Sequence, residues 1–242
     1  MPSGRAHPDL AALAAEIVDC RACPRLVAWR EQVAADRRAA FRGEEYWGRP
    51  VPGFGDPDGS IAVVGLAPAA HGANRTGRIF TGDRSGDWLF ASMHRVGLAN
   101  QPTSSSRDDG LRLRGVWVTA SVRCAPPANK PLPTERDRCL PFLARELELV
   151  GPVRVVVVLG RFAYDVVGRL LQVRPRPRFG HGVEVATPDG RTIVCSFHPS
   201  QQNTFTGKLT GPMTDAVFAR AAQLAGLPID APPRDGRRGP DA

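Results

Sequence analysis

The 242-residue chain has 32 Lys and Arg residues against 24 Asp and Glu residues, which gives a formal net charge of +8. Hydrophobic residues make up 42% of the sequence, enough to build a core and to exclude global disorder. The length suits one compact domain, which we place at residues 1–227. The positive charge favours a polyanionic partner such as nucleic acid, although an arginine-rich surface that only faces solvent would give the same count.

The sequence predicts a cytoplasmic protein without a membrane partner. The best apolar run, residues 153–160, has the length of a buried strand and is too short to cross a bilayer. Residues 1–8 lack the apolar core of a signal peptide. In a reducing compartment the five cysteines are expected to be metal ligands or core thiols before they are disulfides.

Hydrophobic patterns predict helices that alternate with short strands. In chain order, these are a helix at 10–20, a strand at 61–65, a helix at 86–97, a strand at 116–122, a helix at 134–150, a strand at 153–159, a helix at 161–171, strands at 183–186 and 192–197, and a helix at 211–224. Thr134 is the expected N-cap of its helix, and Gly226 is expected to end the last one. Residues 228–242 are expected to be a disordered tail. The alternation predicts an α/β fold with a central, mostly parallel sheet flanked by helices on both faces.

The first of two unusual loops follows the strand at 61–65 and reads GLAPAAHGANRTGRIFTGD. Its glycines let the backbone approach a ligand closely and expose N–H donors to an anion. Arg75 and Arg78 add positive charge, Phe80 offers a stacking face, and Asp83 supplies a carboxylate. A glycine-rich turn with surface arginines is the alternative interpretation. The clustering of these groups beyond a strand end favours a functional site.

The second loop follows the strand at 192–197 and reads HPSQQNTFTGK. A single histidine is more often a structural residue than a functional one. Here Pro199 stiffens the chain after His198, and the following polar side chains supply hydrogen-bonding groups. This arrangement can hold the imidazole against a polar ligand while the backbone binds a phosphate.

Four of the cysteines form two pairs. Cys20 and Cys23 make a Cys-x-x-Cys motif, and Cys124 and Cys139 make a wider pair. Four thiolates suit either tetrahedral zinc or an iron–sulfur (4Fe-4S) cluster, and the residues alone leave this choice open, with unliganded thiols as a third possibility. Cys195 lies in an apolar segment and is interpreted as a core residue.

With these motifs the sequence resembles the type-5 uracil-DNA glycosylases from about residue 20 to residue 224. The resemblance rests on the two loops, in the same order, and on the four paired cysteines. It implies the uracil-DNA glycosylase α/β fold and a 4Fe-4S cluster, in place of zinc, on those cysteines. It also implies hydrolysis of the N-glycosidic bond of uracil and other deaminated or damaged bases in DNA. Such an enzyme is expected to be a monomer near the nucleoid.

The resemblance further implies roles for individual residues. Phe80 would stack on the extruded base, Asp83 would orient water or stabilise the sugar cation, and His198 would stabilise the leaving base. Asn129 lies where the family has a catalytic-site asparagine. Contacts to the base are expected from Gly65, Ala67 and His71, and contacts to DNA from Asn74, Arg75, Arg78, Ser200, Gln201 and Lys208.

Two alanines widen the expected specificity. Related families have Asp or Asn where this sequence has Ala67, and often a base-reading Asn where it has Ala120. A pocket without both polar groups should also accept bases such as hypoxanthine, ethenocytosine and hydroxymethyluracil. Phe205 or Leu209 is expected to fill the gap that the flipped base leaves.

Two other functions are compatible with parts of the sequence. A non-catalytic nucleic-acid-binding module stabilised by a metal would account for the charge and the cysteines. A hydrolase of free nucleotides would account for the polar loops. Only the first leaves Asp83 and His198 unexplained, because a binding module needs no such pair in loops beyond strand ends.

Overall fold

The computed structural model describes residues 7–228. The strands are β1 Phe54–Gly55, β2 Ile61–Gly65, β3 Val116–Ala120, β4 Val155–Leu159, β5 Glu184–Ala186 and β6 Thr192–Ser196. They form one sheet in the order β1-β3-β2-β4-β6-β5. The four central strands pair in parallel, and the short edge strands β1 and β5 are antiparallel to their neighbours. The predicted α/β class and the mostly parallel sheet are confirmed.

The helices are α1 Pro8–Asp19, α2 Pro24–Asp36, α3 Ala73–Thr76, α4 Arg84–Arg95, α5 Pro133–Leu149, α6 Arg161–Leu170, α7 Gln201–Phe205 and α8 Gly211–Ala225, with single 3-10 turns at Ala39–Phe41 and Pro127–Asn129. Gly226 ends α8 in the left-handed conformation, as its position predicts. None of the helices between residues 7 and 228 is long and apolar enough to span a bilayer.

The central strands separate two apolar layers, because successive side chains of a strand point to opposite faces of the sheet. In β4, Val155 and Val157 pack with residues of α4 and α8 such as Phe90 and Phe218. The alternate residues of β4 pack with α1, α5 and α6. Burial on both faces explains why these strands read as continuous apolar runs.

The sequence placed some boundaries wrongly. Thr134 is not the N-cap of α5, since Pro133 takes the first helical position and Leu132 precedes it. The Glu135 carboxylate accepts a hydrogen bond from the Leu132 N–H at 2.7 Å and so closes this helix start. The strand β3 ends at Ala120, two residues early. Of the tail predicted to be disordered, residues 229–242 lie outside the described residues.

Candidate active site

A cavity of about 570 Å³ opens beyond the carboxyl ends of β2 and β6. It is lined by Leu66, Ala67, Ala69, Ile79, Phe80, Asp83, Arg84, Ser85, Asn129, His198, Ser200, Gln201 and Gln202. The two loops therefore meet at one cavity. This is expected, because ligand sites in open α/β sheets lie beyond the carboxyl ends of the strands. The turn that carries Asn129 contributes a third wall.

Phe80 is held in an unusual backbone conformation beside this cavity. Its φ of 53° lies in the left-handed region, which costs free energy for a residue with a side chain. Its ring packs on Gly65, where a Cβ would stand 2.7 Å from the ring Cζ. The ring centroid lies 6.2 Å from that of His198, with 40° between the planes. The fold thus fixes an aromatic face at the cavity and needs glycine beneath it.

Asp83 is the N-cap of α4. Its Oδ1 accepts a hydrogen bond from the Gly86 N–H at 3.0 Å. Burial raises the pKa of the Asp83 carboxyl, while hydrogen bonds from the backbone of Gly86 and Ser85 act in the opposite direction. Its Oδ2 lies against Gly72. The result is a partly desolvated carboxylate at the cavity wall, oriented by the start of a helix.

His198 lies two residues beyond the end of β6 and is half-buried. Burial lowers its pKa to about 4, so the imidazole is neutral at neutral pH. Its main-chain carbonyl accepts a hydrogen bond from Asn203 Nδ2 at 2.9 Å. A Cβ on Gly160 would stand 3.1 Å from the His198 Cβ, so the end of β4 also packs closely here. A neutral imidazole can donate one hydrogen bond to a ligand without the cost of burying a cation.

Asn129 and Ala67 complete the inner surface of the cavity, whereas Ala120 is buried in β3 and is not among the lining residues. Asn129 is exposed in the Pro127–Asn129 turn, with a φ of 55°. Ala67 lines the cavity and also packs against the cysteine cluster on its other side. Ala120 is 1% exposed and pairs with Gly65 in the sheet. Neither alanine offers a hydrogen-bonding side chain.

The expectation that Arg75 and Arg78 contact DNA is wrong, because both side chains are buried and paired. Arg75 forms an ion pair with Glu44 and donates to the carbonyl of Gly82 at 2.9 Å. Arg78 donates to Asp109 Oδ2 at 2.7 Å, and both side chains are less than a tenth exposed. These arginines shape the first loop from within and are not free to bind phosphate.

Three further residues of the first loop have fixed partners in the fold. Asn74 is fully buried and donates from Nδ2 to the main-chain carbonyl of Arg30 at 3.2 Å. His71 Nδ1 lies 3.1 Å from the hydroxyl of Tyr46, to which it is hydrogen bonded. Burial, followed by the charges of nearby arginines, lowers the pKa of His71. Gly65 supports Phe80, as described above. These residues organise the loop. The expected contact of Asn74 with DNA is wrong, because its side chain is fully buried, whereas the base contacts expected of His71 and Gly65 stay predictions.

The second loop keeps its polar groups at the surface. Ser200 is the N-cap of α7, and Gln201 follows it at the rim of the cavity. Lys208 is exposed, with Nζ 5.0 Å from the ring centroid of Phe197. Leu209 is fully buried, so it cannot enter a base stack. Phe205 is 65% exposed, so its ring is accessible to a base stack.

Six lining residues were not predicted as site residues: Leu66, Ala69, Ile79, Arg84, Ser85 and Gln202. Arg84 and Ser85 follow Asp83 at the start of α4, and Gln202 follows Gln201. The guanidinium of Arg84 lies 4.7 Å from the ring centroid of Phe205, a cation–π contact that links the two loops. Arg84 and Ser85 could have been predicted, because they follow a predicted functional loop in the first turn of a helix. The N-cap and its neighbours share one surface there.

The four paired cysteines come together on one side of the cavity. Cys23, Cys124 and Cys139 are buried with Leu26 and Val122, and Cys20 interacts electrostatically with all three thiols. We call these four residues the four-cysteine centre. Burial raises the pKa of the Cys124 thiol to about 12, against the influence of Arg30. Among residues 7–228, no three His, Cys, Asp or Glu side chains are arranged to hold a metal ion.

Cys195 lies apart from this centre. It is fully buried in β6 among the apolar residues that pack with α5 and α6. Burial raises the pKa of its thiol to about 12. The placement agrees with the interpretation of Cys195 as a core residue.

Comparison with known proteins gives one family. The sequence profile of the uracil DNA glycosylase superfamily matches residues 52–223. A type-5 uracil-DNA glycosylase of Mycobacterium bovis is 54% identical over 211 residues, which are 86% of this chain and 79% of the relative. One from Mycobacterium leprae is 53% identical over 89% of this chain and 95% of the relative. One from Thermus thermophilus is 51% identical over 90% of this chain and the full length of the relative.

Proposed function

Because the chain belongs to the uracil-DNA glycosylase superfamily, we propose that it is a DNA-repair glycosylase that hydrolyses the N-glycosidic bond of uracil in DNA. The products are the free base and an abasic site. The main observation behind this proposal is that Phe80, Asp83 and His198 line one cavity beyond the ends of the strands. The family resemblance stated from the sequence is confirmed.

The base must first leave the double helix. Extrusion costs a few kcal/mol, and less for a mispaired base such as uracil opposite guanine. The exposed face of Phe80 recovers part of this cost by stacking on the extruded base. The left-handed backbone of Phe80 and its contact with Gly65 hold the ring in place before the base arrives.

Breaking the C–N bond leaves positive charge on the sugar and negative charge on the base. The Asp83 carboxylate stabilises the sugar cation or orients the attacking water, whose hydroxyl goes to C1′ and whose remaining proton is left for the departing base. The neutral imidazole of His198 donates a hydrogen bond to the base oxygen, where charge develops in the transition state. Asn129 supplies a further polar group at the opposite wall.

The pocket has room for bases other than uracil. A volume of about 570 Å³ exceeds what one pyrimidine requires, and Ala67 in its lining places no polar group that would reject a larger ring. Hypoxanthine, ethenocytosine and hydroxymethyluracil are therefore substrates in this proposal. Positioning on the DNA falls to Ser200, Gln201, Lys208 and main-chain amides, which contact phosphates without reading sequence.

The four-cysteine centre holds a 4Fe-4S cluster in this proposal. Arg30 is 2% exposed, and its only carboxylate neighbour within 4 Å in the described chain is Glu31, at 3.9 Å. A buried guanidinium needs an anion, and its Nη1 lies 2.9 Å from Cys124 Sγ. Thiolates bound to a metal group supply that anion.

The cluster has a structural role in the proposal, because it ties the segment before α2 to the chain between β3 and α5. Iron and sulfide analysis of the purified protein tests it. We expect a brown protein with about four irons per chain, and Cys195→Ala is expected to leave the iron content unchanged while Cys124→Ser lowers it. A colourless protein with stoichiometric zinc would contradict this part.

Incubation with a uracil-containing oligonucleotide followed by alkali tests the activity. Strand cleavage at the uracil supports the glycosylase. A gel shift without cleavage supports the non-catalytic binding module instead, and consumption of free nucleotides with an intact oligonucleotide supports the nucleotide hydrolase. We further propose that the enzyme acts as a monomer in the cytoplasm, at the nucleoid.

A further inference from the structure

Arg30 connects the four-cysteine centre to the loop that carries Asp83. It projects from α2 into the interior, where Nη1 donates to Cys124 Sγ at 2.9 Å. Both Nη atoms lie 3.3 Å from the carbonyl oxygen of Cys20. The Arg30 side chain thus contacts both Cys20 and Cys124, which are more than a hundred residues apart in the sequence.

The other end of the connection is Asn74 in α3. This side chain is fully buried, and its Nδ2 donates to the main-chain carbonyl of Arg30 at 3.2 Å. The backbone of Asn74 is also fixed, since its N–H donates to the Ala69 carbonyl at 3.0 Å and its carbonyl accepts from the Gly48 N–H at 3.0 Å. The Asn74 side chain is therefore positioned by its hydrogen bond to α2. The helix α2 is in turn positioned by the contact of Arg30 with the cysteines.

The helix α3 transmits this position to Asp83. Gly72 is the residue immediately before α3, and the Asp83 carboxylate rests against it so closely that a Cβ there would stand 2.1 Å from Oδ2. A displacement of α3 towards Asp83 would therefore press the backbone of Gly72 against this carboxylate. The contact series runs from Cys124 through Arg30 and Asn74 to Gly72 and Asp83.

We propose that Arg30 is a positioning residue that couples the loaded four-cysteine centre to the catalytic geometry of Asp83. The inference rests on the proposed glycosylase and on its cluster. A metal group fixes the four sulfurs relative to one another and gives the centre the negative charge that holds the guanidinium. When that group is absent, Arg30 loses a fixed anion, α2 loses its anchor, and Asn74 no longer sets the position of α3. Outer-shell partners of metal sites commonly have such effects.

Kinetics of the full chain, normalised to its iron content, test this coupling. Arg30→Met removes the guanidinium and keeps an apolar stem, and Asn74→Ala removes the amide while Arg30 and the cysteines stay in place. For each variant we expect kcat per loaded chain to fall about tenfold, the lower end for a lost outer-shell partner. KM should change little, because Asp83 acts after the DNA is bound. The double variant should be no slower than the slower single variant.

Arg138→Met is the matched control. Arg138 is exposed, its charge opposes the rise that burial causes in the pKa of the Cys23 thiol, and it donates to the Ala22 carbonyl at 3.0 Å. Arg138 takes no part in the series of contacts from Cys124 through Arg30 to α3. Its loss is expected to change the absorbance of the cluster or its rate of bleaching by a chelator, while kcat per loaded chain stays at the wild-type value.

Two results would overturn the inference. One is a wild-type kcat per loaded chain in both Arg30→Met and Asn74→Ala, and the other is undiminished base release by wild-type protein from which the iron has been removed. If Arg30→Met fails to fold, Asn74→Ala decides alone. Failure of the proposed function is a different result, since wild-type protein would then release no uracil at all.

Discussion

Gly72 and the Asp83 carboxylate face each other at a distance that leaves no room for a side chain at residue 72, where a Cβ would stand 2.1 Å from Oδ2. Because Oδ1 is engaged by the start of α4, the carboxylate cannot turn away from such a Cβ without giving up its hydrogen bond. A backbone position more than ten residues before Asp83 therefore determines where the proposed catalytic oxygen points.

This relationship predicts the effect of Gly72→Ala. The added methyl group displaces Asp83, and we expect base release in single turnover to fall by at least about tenfold, the low end for losing one catalytic group. Gly43→Ala is the control, since a Cβ there meets nothing within 4 Å. A Gly72→Ala protein that is folded and fully active would show that the placement of this carboxylate is unimportant.

Asp83→Asn is expected to make the protein more stable at neutral pH. Burial raises the pKa of the Asp83 carboxyl, so the folded state pays for its charge above that pKa. Asn caps a helix about as well as Asp, so the hydrogen bond to Gly86 is retained. Thermal unfolding at pH 7 should give a higher Tm for the variant, and the difference should shrink as the pH falls and the wild-type carboxyl takes up its proton. A lower Tm at pH 7 would contradict this expectation.

The stability contribution of His198 should disappear in acid. Its pKa is lowered to about 4 in the folded state by burial, whereas an unfolded histidine titrates near 6.5. The contribution is therefore complete above about pH 6.5 and is lost as the pH falls towards 4, because only the unfolded chain takes up the proton in that window. Between pH 6.5 and 5 this amounts to about 1.6 kcal/mol.

Urea unfolding at those two pH values measures this loss. The free energy of unfolding of wild-type protein should fall more steeply than that of His198→Gln, in which this group is absent. Other buried histidines, among them His181 with its lowered pKa, contribute equally to both proteins and cancel in the comparison. Parallel slopes for the two proteins would mean that His198 is not held neutral by burial.

Phe205 is expected to matter for double-stranded DNA only. Its ring is 65% exposed, and its centroid lies 4.7 Å from the guanidinium carbon of Arg84, a residue that lines the cavity. In the proposal it fills the space that the flipped base leaves, a task that single-stranded DNA does not require. Phe205→Ala should slow uracil release from duplex DNA by about tenfold or more and leave release from the single strand nearly unchanged, and Phe205→Leu should restore part of the duplex rate. Equal losses on both substrates would refute this role.

The sequence was sufficient for β2 to β6 and for the two loops, because burial on both faces gives the central strands uninterrupted apolar runs. It missed the two-residue edge strand β1. It failed for α2, whose buried face includes the charged Arg30 and so breaks the apolar period. It also failed for Arg75 and Arg78. Whether an arginine binds a ligand or a carboxylate of its own chain depends on partners such as Glu44 and Asp109, about thirty residues away, and only the fold brings them together.

In the candidate site, too, the sequence predicted some features and missed others. Loop motifs predicted which side chains meet, whereas the left-handed backbone of Phe80 and the contact between Gly72 and Asp83 follow from tertiary packing. The lining residue Arg84 was missed because it lies just beyond the first loop motif and reaches the cavity through the start of α4, and Gln202 was missed although it stands within the second motif.

The most direct test of the central claim is single-turnover release of uracil from a duplex oligonucleotide by wild-type protein, Asp83→Asn and His198→Ala, read as alkali-labile strand breaks. The account predicts breaks with wild-type protein and rates lower by at least about tenfold in each variant, with DNA binding retained in a gel shift. Wild-type rates in both folded variants would contradict the assignment of Asp83 and His198, and the absence of breaks with iron-loaded wild-type protein would contradict the glycosylase itself.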